Sequence, residues 1–135
     1  MSAGVPSVGD RIVHKEFPPI TRHRLALYCG ASGDHNPIHV DIDFAKAAGF
    51  PDVFAHGMLV MGYLGQALTD AVAPSKIRSF STRFAAITQL GAQLTCEGTV
   101  TELIEQGGEK RAKLALTTKD QNGEIKLAGE AIIAL

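Results

Sequence analysis

The sequence has no tryptophan, only two cysteines and no run of like charge. Thirteen basic residues stand against fourteen acidic ones, so the chain lacks the basic stripe that nucleic acid or an anionic membrane surface requires. Cys29 and Cys96 show no metal-type spacing, and this isolated pair predicts reduced, partly buried thiols rather than a disulfide. We therefore expect neither a nucleic-acid-binding domain nor a disulfide scaffold.

Long hydrophobic runs are also missing. The most apolar stretch, residues 58–68, is interrupted by two glycines and Gln66, and is well short of the ~20 residues that a membrane span needs. Residues 1–6 lack the charged start and the long apolar run of a signal peptide. We expect a cytoplasmic protein with no membrane partner.

The length and the composition indicate one domain over residues 1–135. A hydrophobic content of 45% supports one substantial core, and 135 residues are too few for two. The 14 glycines are spread through the chain, which indicates many turns rather than disorder. A single domain must then build the whole functional site.

The first half of the chain is polar, rich in turns and contains all five histidines. Its pattern predicts a strand over 9–17, a helix over 21–29 with Thr21 as N-cap, and a short helix over 43–48. A long helix is predicted over 57–72. This last helix is apolar almost all round, so we expect other structure to wrap it.

The second half alternates apolar and polar residues, as half-buried strands do. Gly107-Gly108 and Asn122-Gly123 are hairpin signals between such segments. We predict an α+β fold in which an antiparallel sheet curls around the long helix. The apolar positions of the alternation are Phe80, Phe84 and Ala86, then Leu94, Cys96 and Val100, then Ala112, Leu114 and Leu116, and finally Ile125, Leu127, Ala131 and Ile133.

Residues 31–39 carry the first chemical signal. Pro37 biases Asn36 away from helical geometry, so Asp34 and His39 belong to a turn that can bring both side chains to one point. A carboxylate with a reference pKa of ~3.9 and an imidazole at ~6.5 can hold one water between them, one accepting its proton while the other donates. The alternative is a purely structural role, with Asp34 as a loop cap and His39 as a satisfied, half-buried histidine.

Two other chemistries have less support. His35, His39, His56 and Asp34 are all potential zinc ligands, but their spacing matches no standard zinc pattern, so we predict no metal. A Gly-x-Ser-x-Gly elbow is missing, and Cys29 falls within a predicted helix, where packing is its expected role.

The second chemical signal is Gly57, at the start of the long helix. A backbone N–H in the first helical turn has no helical partner, and the helix dipole adds roughly half a positive charge there. Such a donor suits an oxygen that becomes negative during a reaction. The alternative is that Gly57 only permits close packing, the role expected of Gly62 and Gly65.

The stretch Asp34-His35-Asn36-Pro37-Ile38-His39, followed by Ala55-His56-Gly57-Met58, resembles the MaoC-like (R)-specific enoyl-CoA hydratases and 3-hydroxyacyl dehydratases. In element order the resemblance covers nearly the whole chain. It implies a hot-dog fold, with a curled antiparallel sheet around a long helix. It also implies homodimers or higher even assemblies built on that sheet.

The resemblance also implies site roles. Asp34 and His39 become the catalytic pair that holds the water, and Gly57 the oxyanion donor. Asn36 and His56 become polar residues that shape the site and bind substrate. No metal or cofactor is implied. Gly65 stands where some relatives carry a serine, which leaves the hydrogen bonding around the site open.

The implied reaction is reversible hydration of a trans-2-enoyl thioester, carried by coenzyme A or acyl carrier protein, to the (R)-3-hydroxyacyl thioester. Two alternatives stay open, because fold alone does not select a function. One is a hot-dog acyl-CoA thioesterase. The other is an acyl-binding subunit of a hetero-oligomeric dehydratase.

Overall fold

The computed structural model describes residues 4–135, in which five strands form one antiparallel sheet of order β1-β3-β4-β5-β2. The strands are Arg11–Glu16 (β1), Ile77–Phe84 (β2), Thr95–Gln106 (β3), Glu109–Lys119 (β4) and Ile125–Ala134 (β5). The helices are Arg22–Ser32 (α1), Ile42–Ala47 (α2) and Gly57–Ala71 (α3), with short 3-10 turns at Pro37–His39 and Pro74–Lys76. The predicted α+β arrangement is confirmed.

The hairpin signals fold as predicted. Gly107 and Gly108 have φ angles of 59° and 77°, the left-handed pair that a tight turn between β3 and β4 requires. The turn between β4 and β5 closes with Gly123 at φ 82°, where its N–H donates to the carbonyl of Asp120. Both hairpins join strands that are adjacent in sequence, so β3, β4 and β5 form the centre of the sheet.

Helix α3 lies against the sheet and supplies much of the core. Its buried positions recur at helical spacing and form one apolar face. Thr21 caps α1 as predicted, because its side chain accepts from the N–H of Arg24. The buried residues of α3 are Leu59, Val60, Tyr63, Leu64, Ala67 and Leu68.

The prediction that other structure wraps α3 all round is wrong on one side. Met58 is 57% exposed, and Gly57 and Gly62 are also exposed. A Cβ added at Gly62 would meet nothing within 4 Å. A five-stranded sheet covers one side of the helix only, so the side that carries these residues is open in the single chain.

The alternation pattern also fails at two strand ends. Strand β2 stops at Phe84, whose side chain is 53% exposed, and Ala86 lies beyond it. On β5, Ile125 is 45% exposed while its polar neighbour Lys126 is buried. Lys126 is buried because the segment that follows β2 crosses it, with the N–H of Ala85 donating to its carbonyl.

Cys29 and Cys96 are both buried free thiols, as predicted. Burial raises the pKa of the Cys96 thiol to about 11, although a hydrogen bond with Thr118 opposes this shift. Among residues 4–135, no helix has the length and apolar character to cross a membrane. The first three residues of the N-terminal stretch considered above lie outside the described residues.

Candidate active site

The Asp34–His39 stretch folds through hydrogen bonds between near neighbours. Gly33 ends α1 in the left-handed region at φ 78°, which releases the chain into the loop. The carboxylate of Asp34 accepts from the N–H of Asn36, and the side chain of Asn36 accepts from the N–H of Ile38. The second bond caps the 3-10 turn that carries His39. Residue types and spacing alone thus produce the local shape of the motif.

The two members of the predicted pair face each other. Nε2 of His39 lies 4.0 Å from Oδ2 of Asp34. At this separation the groups do not bond directly, and a water between them can satisfy both. The side chain of His39 is 10% exposed and that of Asp34 is 52% exposed, so the pair is reached from solvent on the carboxylate side.

The tautomer of His39 follows from its second nitrogen. Nδ1 lies 2.8 Å from the carbonyl oxygen of Phe54, an oxygen that can only accept a hydrogen bond. Nδ1 therefore keeps its proton, and in the neutral ring Nε2 carries the lone pair. The atom that faces Asp34 is a proton acceptor.

His56 lies behind His39 and is almost completely buried. The two rings stack with centroids 3.8 Å apart, and Tyr28 packs edge-on against His56. Nε2 of His56 lies 3.2 Å from the backbone carbonyl of Asp34, to which it donates. Burial, and then the neighbouring His39, lower the pKa of His56 below its usual 6.5, which favours the neutral ring.

Gly57 is the first residue of α3, as predicted. Its N–H has no partner within the helix. The ring of Phe84 lies beside it, since a Cβ on Gly57 would come 3.0 Å from a ring carbon. A cavity of about 320 Å³ opens next to Gly57, and its other walls are Ala55, Val60, Phe84, Ala85, Ala86, Ile87, Thr88 and Leu127.

Asn36 and His56, the predicted substrate-binding residues, both have structural partners. The oxygen of the Asn36 side chain is engaged in capping, which leaves its exposed amide nitrogen as the free donor. His56 is only 1% exposed, so its ring contributes to the site by packing against the ring of His39. His35 is exposed, and the cluster around Asp34 does not include it.

A shared metal ion fits this arrangement poorly. Asp34, His39 and His56 bring potential ligand atoms within 4.8 Å of one another. The two imidazoles, however, stack at an interplanar angle of 24°, so their lone pairs run nearly parallel instead of converging on one point. Nε2 of His56 also faces a carbonyl oxygen, which makes it a donor. The donor set is better suited to one water than to one ion.

Sequence reasoning missed two parts of the site, the Phe54 carbonyl and the Phe84 ring. The carbonyl belongs to the backbone, which carries no residue-type signal. In the sequence, Phe84 is one apolar position of a predicted strand. The residues around it do not indicate that its ring lies beside Gly57. These contacts join segments that are distant in the chain.

Comparisons with known proteins identify the family of the chain. The family model described as "MaoC like domain" matches residues 5–122. An (R)-specific enoyl-CoA hydratase of Rhodospirillum rubrum is 34% identical, over 84% of this chain and 78% of the relative. An (R)-specific enoyl-CoA hydratase of Aeromonas caviae is 32% identical, over 82% of this chain and 83% of the relative.

Among solved structures, the unliganded R-hydratase PhaJ1 from Pseudomonas aeruginosa superimposes with a TM-score of 0.82 at 29% identity, and the match covers 96% of this chain and 82% of that one. An (R)-hydratase from A. caviae superimposes with a TM-score of 0.81 at 24% identity, covering 98% and 99%, which supports the fold alone. The family model, the relatives and the fold agree, and the chain belongs to the MaoC-like domain family.

Proposed function

We propose that this chain adds water across the C2–C3 double bond of trans-2-enoyl thioesters to form (R)-3-hydroxyacyl thioesters, and that it catalyses the reverse dehydration. The observation that carries the proposal is the pair formed by Asp34 and His39, whose side chains face each other at 4.0 Å. The relatives from R. rubrum and A. caviae carry the name of this activity.

In the proposed reaction, Asp34 and His39 hold one water. Nε2 of His39 accepts a proton as the water oxygen forms its bond to C3, while the carboxylate of Asp34 holds the water by its other hydrogen. The electron pair of the double bond moves toward the thioester carbonyl. The proton on Nε2 is then delivered to C2, which completes the addition and restores the neutral ring.

The thioester oxygen gains negative charge during this step. The N–H of Gly57 points from the first turn of a 15-residue helix, where the helix dipole favours an anion. A donor that is in place before the reaction needs no reorganisation when the charge develops. We assign Gly57 as this donor.

Asn36 and His56 complete the proposed site. Asn36 shapes the turn and offers its free amide nitrogen toward substrate. His56 supports the ring of His39 from behind. We further propose that the substrate is an acyl-CoA or acyl-carrier-protein thioester, that residues 1–135 act as one cytoplasmic domain, and that the reaction needs neither metal nor cofactor.

We also propose that the active form is a homodimer or a higher even assembly. Strand β2 is an edge of the sheet, and an unpaired edge normally needs cover. Three exposed apolar side chains, Met58, Phe84 and Ile87, lie around the end of this strand and the start of α3. An apolar patch beside a sheet edge is typical of a protein interface.

The experiment is an assay of one purified sample with crotonyl-CoA. We expect loss of the enoyl absorbance without release of free thiol, and full activity after treatment with a chelator. The product should be oxidised by an (R)-specific and not by an (S)-specific 3-hydroxyacyl-CoA dehydrogenase. Thiol release in place of hydration would identify a thioesterase. Inactivity of the pure chain, with activity restored by a partner chain, would identify an auxiliary subunit.

A further inference from the structure

Lys126 is a buried lysine whose hydrogen-bonding capacity is fully used. It is 1% exposed, and its three ammonium hydrogens find acceptors on the carbonyl of Ile87, the side chain of Gln89 and the carboxylate of Glu124. The first two bonds are 2.9 Å long. Burying a charge is unfavourable unless such partners are present, so this group is held in one position.

Asp120 completes the buried pair. Its carboxylate lies 3.5 Å from Nζ of Lys126, and the amide nitrogen of Gln89 donates to it at 3.1 Å. Burial opposes ionisation of Asp120, but hydrogen bonds from Gln89 and from the N–H groups of Glu124 and Asn122 outweigh it and lower its pKa. The terminal amide of Gln89 is therefore held on both sides: its oxygen accepts from Lys126, and its nitrogen donates to Asp120.

The pair holds the segment 87–89. This segment is joined to Phe54, whose carbonyl accepts the hydrogen bond from His39. Gln89 forms an isolated antiparallel bridge with Phe54, and the N–H of Ala55 donates to the carbonyl of Thr88 at 2.8 Å. The carbonyl of Phe54 accepts from Nδ1 of His39. An unbroken series of contacts thus runs from the buried pair to the catalytic ring.

We propose that Lys126 and Asp120, acting through Gln89, are positioning residues that hold the Phe54 carbonyl in place and thereby keep His39 in its Nδ1–H tautomer. The inference rests on the proposed function, because it is His39 as proton acceptor that the tautomer serves. The groups that face His39 are the carbonyl of Phe54 and the side chains of Asp34 and His56. Of these, only the carbonyl fixes Nδ1.

The position of Phe54 needs an external support. Phe54 lies in a single bridge outside the sheet, not in a long strand pair that would fix its carbonyl. The partner in that bridge, Gln89, lies outside the strands as well. Lys126 on β5 and Asp120 in the turn before it connect Gln89 to the β4–β5 hairpin of the sheet.

The test compares Lys126→Met and Gln89→Leu with wild type. Lys126→Met removes the donors to the held segment, and Gln89→Leu breaks the link without leaving a new buried charge. Lys113→Met is the matched control, since Lys113 lies on β4 in a partly exposed ion pair with Glu130. Thermal melts accompany three readouts: kcat and KM on crotonyl-CoA, and the imidazole ¹⁵N shifts of His39, which report its tautomer without substrate.

We expect the two test variants to lower kcat about tenfold or more with little change in KM. A small misplacement of a catalytic group causes a loss of rate of this size. Their ¹⁵N spectra should show loss of the single Nδ1–H tautomer, and the control should match wild type. If Lys126→Met does not fold, the kcat and the His39 tautomer of Gln89→Leu decide whether the inference holds. Folded variants with wild-type kcat and an unchanged tautomer would overturn the inference. If wild type itself does not hydrate enoyl-CoA, the proposed function fails, and the tautomer alone tests the positioning.

Discussion

At the scale of single residues, the orientation of His39 decides what the site can do. A neutral imidazole is a base on one nitrogen only. The carbonyl of Phe54 accepts from Nδ1 of His39, which leaves Nε2 as the basic nitrogen. The ring could not carry out the proposed step if Nε2 held the proton. Asp34 needs no such control, because a carboxylate accepts equally well on either oxygen.

The proposed catalytic pair is tested with Asp34→Asn and His39→Ala. Each change should lower kcat by ~10²–10⁴, the usual contribution of a positioned acid or base. The double variant should be little worse than either single one, because residues that hold one water act as a unit. Steady-state kinetics with melting controls measure these effects. Near-wild-type turnover in either folded single variant, or clearly multiplicative losses in the double, would count against a shared water.

His56 should make stability depend on pH. Its pKa is lowered in the folded protein, chiefly by burial, so between its usual 6.5 and the lowered value the unfolded chain binds a proton that the folded chain resists. Stability is therefore lost as the pH falls through this range. Melts from about pH 8 to about pH 5 should show a smaller loss for His56→Gln than for wild type.

The matched control for this experiment is His23→Gln, at an exposed position of α1. This variant should follow the wild-type curve. Equal pH dependence in all three proteins would mean that His56 is not the group responsible.

At the scale of elements, the start of α3 brings the site together. Its N-cap is His56 and its first residue is Gly57, so one helix end places both the ring behind His39 and the free N–H beside the cavity. The 3-10 turn at Pro37–His39 brings the ring of His39 to the same place. Neither element alone contains a site.

The backbone role of Gly57 is tested by comparing Gly57→Pro with Gly57→Ala. Both add a Cβ that meets the ring of Phe84 at 3.0 Å, and this ring is exposed enough to shift. Only proline also removes the N–H, and proline is well accommodated in the first helical turn. We expect a loss of ~10²–10³ in kcat for the proline variant relative to alanine, the scale of one oxyanion donor.

Melting curves must show that both Gly57 variants fold. Equal turnover of the folded proline and alanine variants would mean that Gly57 is a packing residue and that the oxyanion donor lies elsewhere.

At the scale of the whole molecule, the single chain leaves two surfaces open near the proposed site. One is the edge of β2, and the other is the side of α3 that the sheet does not cover. The two surfaces meet where Phe84 lies beside Gly57, next to the proposed site. Assembly and catalysis are therefore expected to depend on each other.

Assembly is tested by light scattering at assay concentration, where we expect twice the chain mass or a higher even multiple. Met58→Lys places a charge in the exposed apolar patch and should shift the protein toward monomer with loss of activity. Leu103→Lys is the matched control, since Leu103 is 44% exposed on β3, away from the patch. A stable and fully active wild-type monomer would rule out the proposed assembly.

The sequence by itself determined the order of the elements, the two hairpins, the cap of α1 and the local shape of the Asp34–His39 turn. These features depend on residue types a few positions apart: alternation, glycines with positive φ, and side chains that bond to near neighbours. The family could be identified from the same short stretch, because the motif is local.

Only the tertiary structure decided the tautomer of His39, the stacking of His56, the burial of Lys126 and the open side of α3. Each depends on contacts between segments far apart in sequence, and the acceptor that matters most, the carbonyl of Phe54, is a backbone atom common to every residue. Patterns of residue type report short-range preferences. They do not report which distant segment crosses a strand or which side of a helix a sheet leaves uncovered.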